Sequence, residues 1–160
     1  MLNMKLPITI LLLFGVVACS PSIDSCLDDG ISMEQVQTYI EQGRRDELLN
    51  QLQIRANNGE AAAQYFLGFI YWAEEPETSF EWFKASAESG CLEGVSYLAQ
   101  TYLDGTVVNK NEPQAFYWYL RLAETGDNNA MKMVSHMYKT GQGVEKDLAQ
   151  SREWATKSWQ

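Results

Sequence analysis

The chain has 160 residues, a net charge of −9 and 46% hydrophobic residues. This length is enough for one domain with a sizeable core. The excess of acids argues against nucleic acid or an anionic lipid surface as a partner. It favours a basic protein partner, or it serves solubility alone.

Residues 1–18 are predicted to be a signal peptide that is removed. Lys5 precedes an apolar run of about 12 residues, shorter than the ~20 that a membrane-spanning helix needs. The sequence Val-Val-Ala before Cys19 resembles a bacterial lipobox, so Cys19 is the predicted lipidation site. Ordinary cleavage after Ala18, which leaves Cys19 free, is the alternative. Ser20 in place of an aspartate favours the outer membrane, with the protein facing the periplasm.

Residues 19–30 are predicted to be a lipid-anchored tether. Two cysteines remain besides the lipidated one, Cys26 and Cys91. An exported protein meets an oxidising compartment, where a disulfide between them would persist. The alternative is that Cys91 is a small buried residue at the start of a helix.

Residues 31–160 are predicted to be all-α, an α-solenoid of about four stacked antiparallel helix pairs. Apolar residues recur at helical spacing, and no stretch has the alternation of a strand. A degenerate N-terminal pair starts at a capping box, Ser32 with Gln35, and ends at Gly59. The first clear pair follows and ends at Gly90.

The two later pairs share one pattern of turns and caps. In the second clear pair, Gly105 ends the first helix and Asn111 caps the second. In the third, Gly141 and Asp147 hold the same positions, and the last helix begins at Leu148. Both caps stand three residues before a glutamine, as in a capping box.

A 36-residue interval relates the pairs, since Trp82, Trp118 and Trp154 are equally spaced. Such a period is typical of stacked helical units that cannot bury their apolar faces alone. We expect the three tryptophans to pack between units. The first clear pair has five residues fewer in its interhelical loop.

The positions of small, aromatic and glycine residues resemble the Sel-one-like repeat family, a relative of the tetratricopeptide repeat. The closest matches are Ala63–Tyr71 and Thr140–Val144 with Asp147 and Trp154. The resemblance is strong from Gly59 to Trp159. Val107 departs from it in place of the second loop glycine, and the short first loop departs further.

The resemblance implies that the first helix of each pair lines a concave groove that binds a protein or peptide. On that expectation, Tyr65, Phe69 and Trp72 form an aromatic stripe at i, i+4 and i+7. The alternative is that about half of this stripe packs against the N-terminal pair. The predicted groove continues over the second and third clear pairs, with Ser96, Gln100 and Leu103 and then Lys132, His136 and Lys139.

No arrangement of residues predicts catalysis, a cofactor or a metal site. His136 is the only histidine, and no nucleophile lies in a recognised context. The cysteines lack the spacing of metal ligands. Glu74 and Glu75 are expected to be solvated loop acids.

The sequence therefore favours a non-catalytic protein–protein interaction module tethered to the bacterial envelope. A first alternative is an immunity lipoprotein that neutralises a secreted toxin. A second alternative is an enzyme that binds or cleaves peptidoglycan or a β-lactam.

Overall fold

The computed structural model describes residues 31–159, which form eight helices. The predicted tether and signal peptide lie outside the described residues. The helices pack in chain order, each mainly against its neighbours along the chain. Within residues 31–159 there is no strand and no helix long and apolar enough to span a membrane. The helices are α1 Met33–Glu41, α2 Arg45–Asn57, α3 Ala61–Tyr71, α4 Pro76–Glu88, α5 Leu92–Asp104, α6 Glu112–Glu124, α7 Asn128–Thr140 and α8 Leu148–Lys157.

This order confirms the predicted all-α solenoid with four helix pairs. Two clusters of buried side chains lie between the helices. The first includes Leu52, Phe66 and Leu67, and joins α1 and α2 to α3. The second includes Leu98 and Met137, and joins α4 to the helices that follow. No pair has a core of its own, because each apolar face is covered by the next pair.

The helix ends follow the predicted caps. The side chains of Asn111 and Asp147 each accept a hydrogen bond from a backbone N–H in the first turn of the helix that follows, and Ser32 forms the complete capping box. Asp127 caps α7 in the same way, so this helix begins at Asn128. Gly141 ends α7 in the left-handed conformation, with φ 82°.

Small residues bring the two helices of a pair together. The Ser79 hydroxyl donates a hydrogen bond to the Gly68 carbonyl at 2.7 Å. The Ser135 hydroxyl donates to the Ser151 carbonyl at the same distance. A larger side chain at these positions would separate the helix backbones, so small size is the property that the repeat retains.

Aromatic residues fill the spaces between successive units. Trp118 and Trp154 are buried and Trp82 is half-buried, which agrees with the predicted role in packing. Tyr102 meets Phe80 edge to face, with ring centroids 5.7 Å apart. The equivalent rings one period later, Tyr138 and Phe116, are 5.1 Å apart.

The short loop of the first clear pair runs from Trp72 to Glu75. Glu74 is exposed, but it also pairs with Arg45 of α2 at 2.7 Å, through both guanidinium nitrogens. The Glu74 carboxylate is thus exposed, as expected of a loop acid, while it also joins the loop to α2. An exposed pair of this kind stabilises a protein by only about 0–1 kcal/mol.

Candidate functional site

The odd-numbered helices α3, α5 and α7 begin successive pairs, so the repeat architecture is expected to place them on one face of the solenoid. Each of these helices contributes three residues at i, i+4 and i+7, which fall on one stripe of a helix. We call this surface the odd-helix face. Its members are Tyr65 and Phe69 on α3 with Trp72 directly after its end, Ser96, Gln100 and Leu103 on α5, and Lys132, His136 and Lys139 on α7.

Most of the predicted groove residues reach solvent on this face. Gln100 and the three residues of α7 are exposed, and Trp72 is 38% exposed. Phe69 is half-buried, without belonging to either core cluster. Leu103 and Tyr65 differ, because Leu103 packs against the second cluster and Tyr65 packs against the first, which includes residues of α1 and α2.

Tyr65 is held from the side of α4. Its ring meets Phe83 edge to face at 5.5 Å and also contacts Phe66 of its own helix. Phe83 in turn stacks on Tyr97 of α5 at 3.9 Å. A single buried ring from α4 therefore contacts α3 through Tyr65 and α5 through Tyr97.

Tyr119 of α6 has the equivalent position one period after Phe83. Its hydroxyl donates a hydrogen bond to Gln100 Oε1 at 2.7 Å, and Gln100 Nε2 donates to Asp104 at 2.7 Å. Sequence analysis missed both even-helix residues. The 36-residue interval between them was the available signal, but it gave no indication of their direction.

Burial raises the pKa of both tyrosine hydroxyls on this side of the molecule. The pKa of Tyr65 rises to about 12, chiefly through desolvation and further through the Glu93 carboxylate. The pKa of Tyr119 rises to about 12 for the same main reason, with Asp104 adding to it. Both groups are therefore neutral at physiological pH, and the Tyr119 hydroxyl remains a hydrogen-bond donor that fixes Gln100.

Cys91 is fully buried at the N-terminal end of α5 and is disulfide-bonded. The chain's other cysteines, Cys19 and Cys26, lie outside the described residues. The pairing of Cys26 with Cys91 therefore stays a prediction. Burial at a helix start, which sequence analysis offered as the alternative to a disulfide, occurs together with it.

The chemistry of the odd-helix face comes from its aromatic and basic side chains. Within residues 31–159 no group of three or more His, Cys, Asp or Glu side chains is placed to hold a metal ion. His136 lies on the exposed stripe of α7, between Lys132 and Lys139, and its backbone carbonyl accepts a hydrogen bond from Thr140. Large aromatic rings at one end and cations at the other are suited to binding another molecule.

The sequence matches the family model of the Sel1 repeat three times, at residues 61–91, 93–127 and 128–158. These units coincide with the pairs α3/α4, α5/α6 and α7/α8. The pair α1/α2 precedes the first match, in agreement with its degenerate pattern. No curated protein matches the chain.

Solved structures share this architecture. A Sel1 repeat protein from Oxalobacter formigenes is 31% identical, with a TM-score of 0.62, and the match covers 69% of this chain and 87% of that one. A protective antigen of uropathogenic Escherichia coli, with an SLR fold, is 32% identical with the same TM-score over 69% of this chain. The match spans only 25% of the length of that antigen.

Cysteine-rich protein B of Helicobacter pylori shares the fold at 16% identity. Its TM-score is 0.54, and the match covers 81% of this chain and 91% of that one. At this identity the likeness concerns the fold alone. Sel1 repeat proteins are protein-interaction modules.

Proposed function

Because the chain belongs to the Sel1 repeat family, we propose that it is a non-catalytic scaffold whose odd-helix face binds a partner protein or peptide. The scaffold is tethered to the bacterial outer membrane by lipid on Cys19 and faces the periplasm. The odd-helix face is the concave side of the solenoid, where first helices of successive units share one surface.

The observation that carries the binding role is the position of Phe69 and Trp72. Phe69 is a large aromatic residue in the last turn of α3, Trp72 directly follows the helix, and neither belongs to a core cluster. The stripe continues onto α5 and α7 at equivalent positions, so it is longer than one unit. Aromatic residues dominate the binding energy of protein interfaces, often by ≥ 2 kcal/mol each.

The first test is partner capture from a bacterial envelope extract. Wild-type protein is compared with a Phe69→Ser/Trp72→Ala variant and with Tyr117→Ala. Tyr117 lies on α6, is 49% exposed, and controls for the loss of any exposed aromatic ring. We expect the double variant to recover its partner at least tenfold less well, which corresponds to about 1.4 kcal/mol, and the control to match the wild type.

Circular dichroism establishes that both variants remain helical and melt like the wild type. Equal recovery of the partner by all three proteins would show that the odd-helix face is not the binding site. Recovery that falls only with Tyr117→Ala would move the site to the outer surface of α6.

The lipid anchor is supported by the sequence alone, since Cys19 lies outside the described residues. Metabolic labelling with a fatty-acid analogue is expected to label the wild type and Cys26→Ser, but not Cys19→Ser. Because Cys26→Ser also lacks one thiol, it shows that the loss of a cysteine elsewhere does not remove the label. Label retained by Cys19→Ser would refute the anchor, while leaving the binding role untouched.

A further inference from the structure

We infer that the odd-helix face binds an extended segment with two unlike ends, an apolar end on α3 and an acidic end on α7. This inference rests on the proposed function and specifies the chemistry of the partner. It differs from what the net charge of −9 favours, which is a basic partner.

The first step is the change in chemistry along equivalent positions. Each odd helix offers its stripe at the same register, and the stripe of α7 spans about 10 Å along the helix axis. The stripe is aromatic on α3, carries Ser96 and Gln100 on α5, and has two lysines and a histidine on α7. A partner that crosses all three helices therefore meets apolar, neutral and basic surfaces in that order.

The apolar end is fixed in place before binding. Tyr65 is packed on Phe66 and Phe83, so its ring cannot turn freely. Phe69 lies one helical turn further along α3, and Trp72 follows it at 38% exposure. Aromatic rings held in this way lose little conformational entropy when an apolar side chain packs on them.

The stripe residues in the middle of the face are neutral, with the Asp104 carboxylate beside them, and Gln100 is fixed. Gln100 is held between the Tyr119 hydroxyl and Asp104. The Asp104 carboxylate is directed at Gln100 by this bond, at the C-terminal end of α5. A neutral segment can cross here without repulsion from the Asp104 carboxylate.

The basic end carries cations that no carboxylate neutralises within the described part of the chain. Neither Lys132 nor Lys139 takes part in an ion pair within residues 31–159. The ion pairs of these residues involve Arg44, Arg45, Arg55, Lys110 and Lys157. The Lys132 ammonium lies 6.0 Å from the ring of Trp159, which is 85% exposed. Lys132 and Lys139 are one stripe of α7, so two acids of one segment can reach them together.

Charge screening determines whether a segment at α7 responds to the net charge of the protein or to the local charge of Lys132 and Lys139. The screening length at physiological ionic strength is about 8 Å, so exposed carboxylates further away contribute little at α7. The global excess of acids still favours basic surfaces elsewhere on a partner. The segment in contact with α7, however, meets Lys132 and Lys139 directly.

The spacing of the helices sets the length of the segment. Successive odd helices are separated by about one helix diameter, ~10 Å, so α3 and α7 lie on the order of 20 Å apart. About six residues of extended chain span that distance at ~3.3 Å each. The expected segment thus has an aromatic or leucine residue about six positions away from a pair of acids.

The test uses synthetic fluorescent peptides and the full-length protein. The probe has Trp-Leu at one end, six Gly/Ser residues, and Asp-Glu-Asp at the other, and it is made in both chain directions. A control peptide carries three lysines in place of the acids. Affinities are measured by fluorescence anisotropy at physiological salt, up to millimolar protein.

We expect the wild type to bind one direction of the acidic probe at least tenfold more tightly than the lysine control. Lys132→Glu/Lys139→Glu is expected to abolish or invert this preference. Lys84→Glu/Arg152→Glu, with the same change in net charge on α4 and α8, is expected to preserve it. These surface substitutions change stability little, which thermal melts of each variant establish.

Two outcomes overturn the inference. One is equal or tighter binding of the lysine control by the wild type, and the other is no binding of any probe. The capture experiment distinguishes failure of this inference from failure of the proposed function. If capture requires Phe69 and Trp72 but is unaffected by Lys132→Glu/Lys139→Glu, the acidic segment is wrong and the binding face stands. If neither change affects capture, the proposed function fails as well.

Discussion

Replacing Gly143 with alanine is expected to lower the free energy of unfolding by about 2–5 kcal/mol. Gly143 adopts a φ of 70°, where an L side chain adds about 1–2 kcal/mol of strain. A Cβ there would also overlap the Glu112 carbonyl group and lie 2.9 Å from the Pro113 nitrogen. Both atoms belong to the backbone at the start of α6, so relieving the overlap requires two units to separate, at about 1–3 kcal/mol.

Gly141→Ala is the matched control for this prediction. Gly141 lies in the same loop with a φ of 82°, but a Cβ there would make an ordinary contact of 3.5 Å with Lys146. Urea unfolding of both variants, followed by circular dichroism, should show that Gly143→Ala lowers the free energy of unfolding more than Gly141→Ala does. Equal losses would mean that the φ alone matters and that the loop does not press on α6.

The effect of Gly68→Ala on the free energy of unfolding is expected to change sign when Phe83 is replaced by alanine. A Cβ on Gly68 would lie 2.9 Å from the Phe83 ring, which is buried between Tyr65 and Tyr97 and has little room to move. In the wild type the substitution should therefore destabilise by about 1–3 kcal/mol. In a Phe83→Ala background the obstacle is gone, and alanine in mid-helix should stabilise by about 0.5–1 kcal/mol relative to glycine.

Phe83→Ala by itself is expected to lose about 3–5 kcal/mol, as for other buried aromatic residues. The complete double-mutant cycle is measured by urea unfolding, with Phe80→Ala as the control background. Phe80 is also buried on α4, but it contacts Tyr102 and does not lie over Gly68. The specific contact would be contradicted if Gly68→Ala stabilised the protein in both the Phe83→Ala and the Phe80→Ala backgrounds, or in neither of them.

The regular parts of the fold follow from the sequence because they depend on local interactions. The caps at Asn111 and Asp147 and the glycine stop at Gly141 act within one turn of helix, so a short motif predicts them. The 36-residue interval then predicts stacking, since each unit repeats the same buried positions. Asp127 was missed although its side chain makes the same kind of bond, because no capping-box partner follows it.

The candidate site follows from the sequence only in part. Register from one odd helix to the next predicts which residues share the odd-helix face, and exposure of Gln100, Lys132, His136 and Lys139 agrees with it. Leu103 has the correct register but packs into the second core cluster. Spacing in the sequence defines only the angle of a residue around its helix axis, whereas its burial depends on how close the neighbouring helix lies.

The sequence by itself determined the all-α repeat, the number of helix pairs, the caps and the stripe of each odd helix. These features arise from propensities and spacings within one or two turns. The tertiary structure decided what supports the stripes, namely Phe83 beneath Tyr65 and Tyr119 bonded to Gln100. It also decided that the loop at Gly143 rests on α6, because both contacts join residues of different helices whose approach no periodicity specifies.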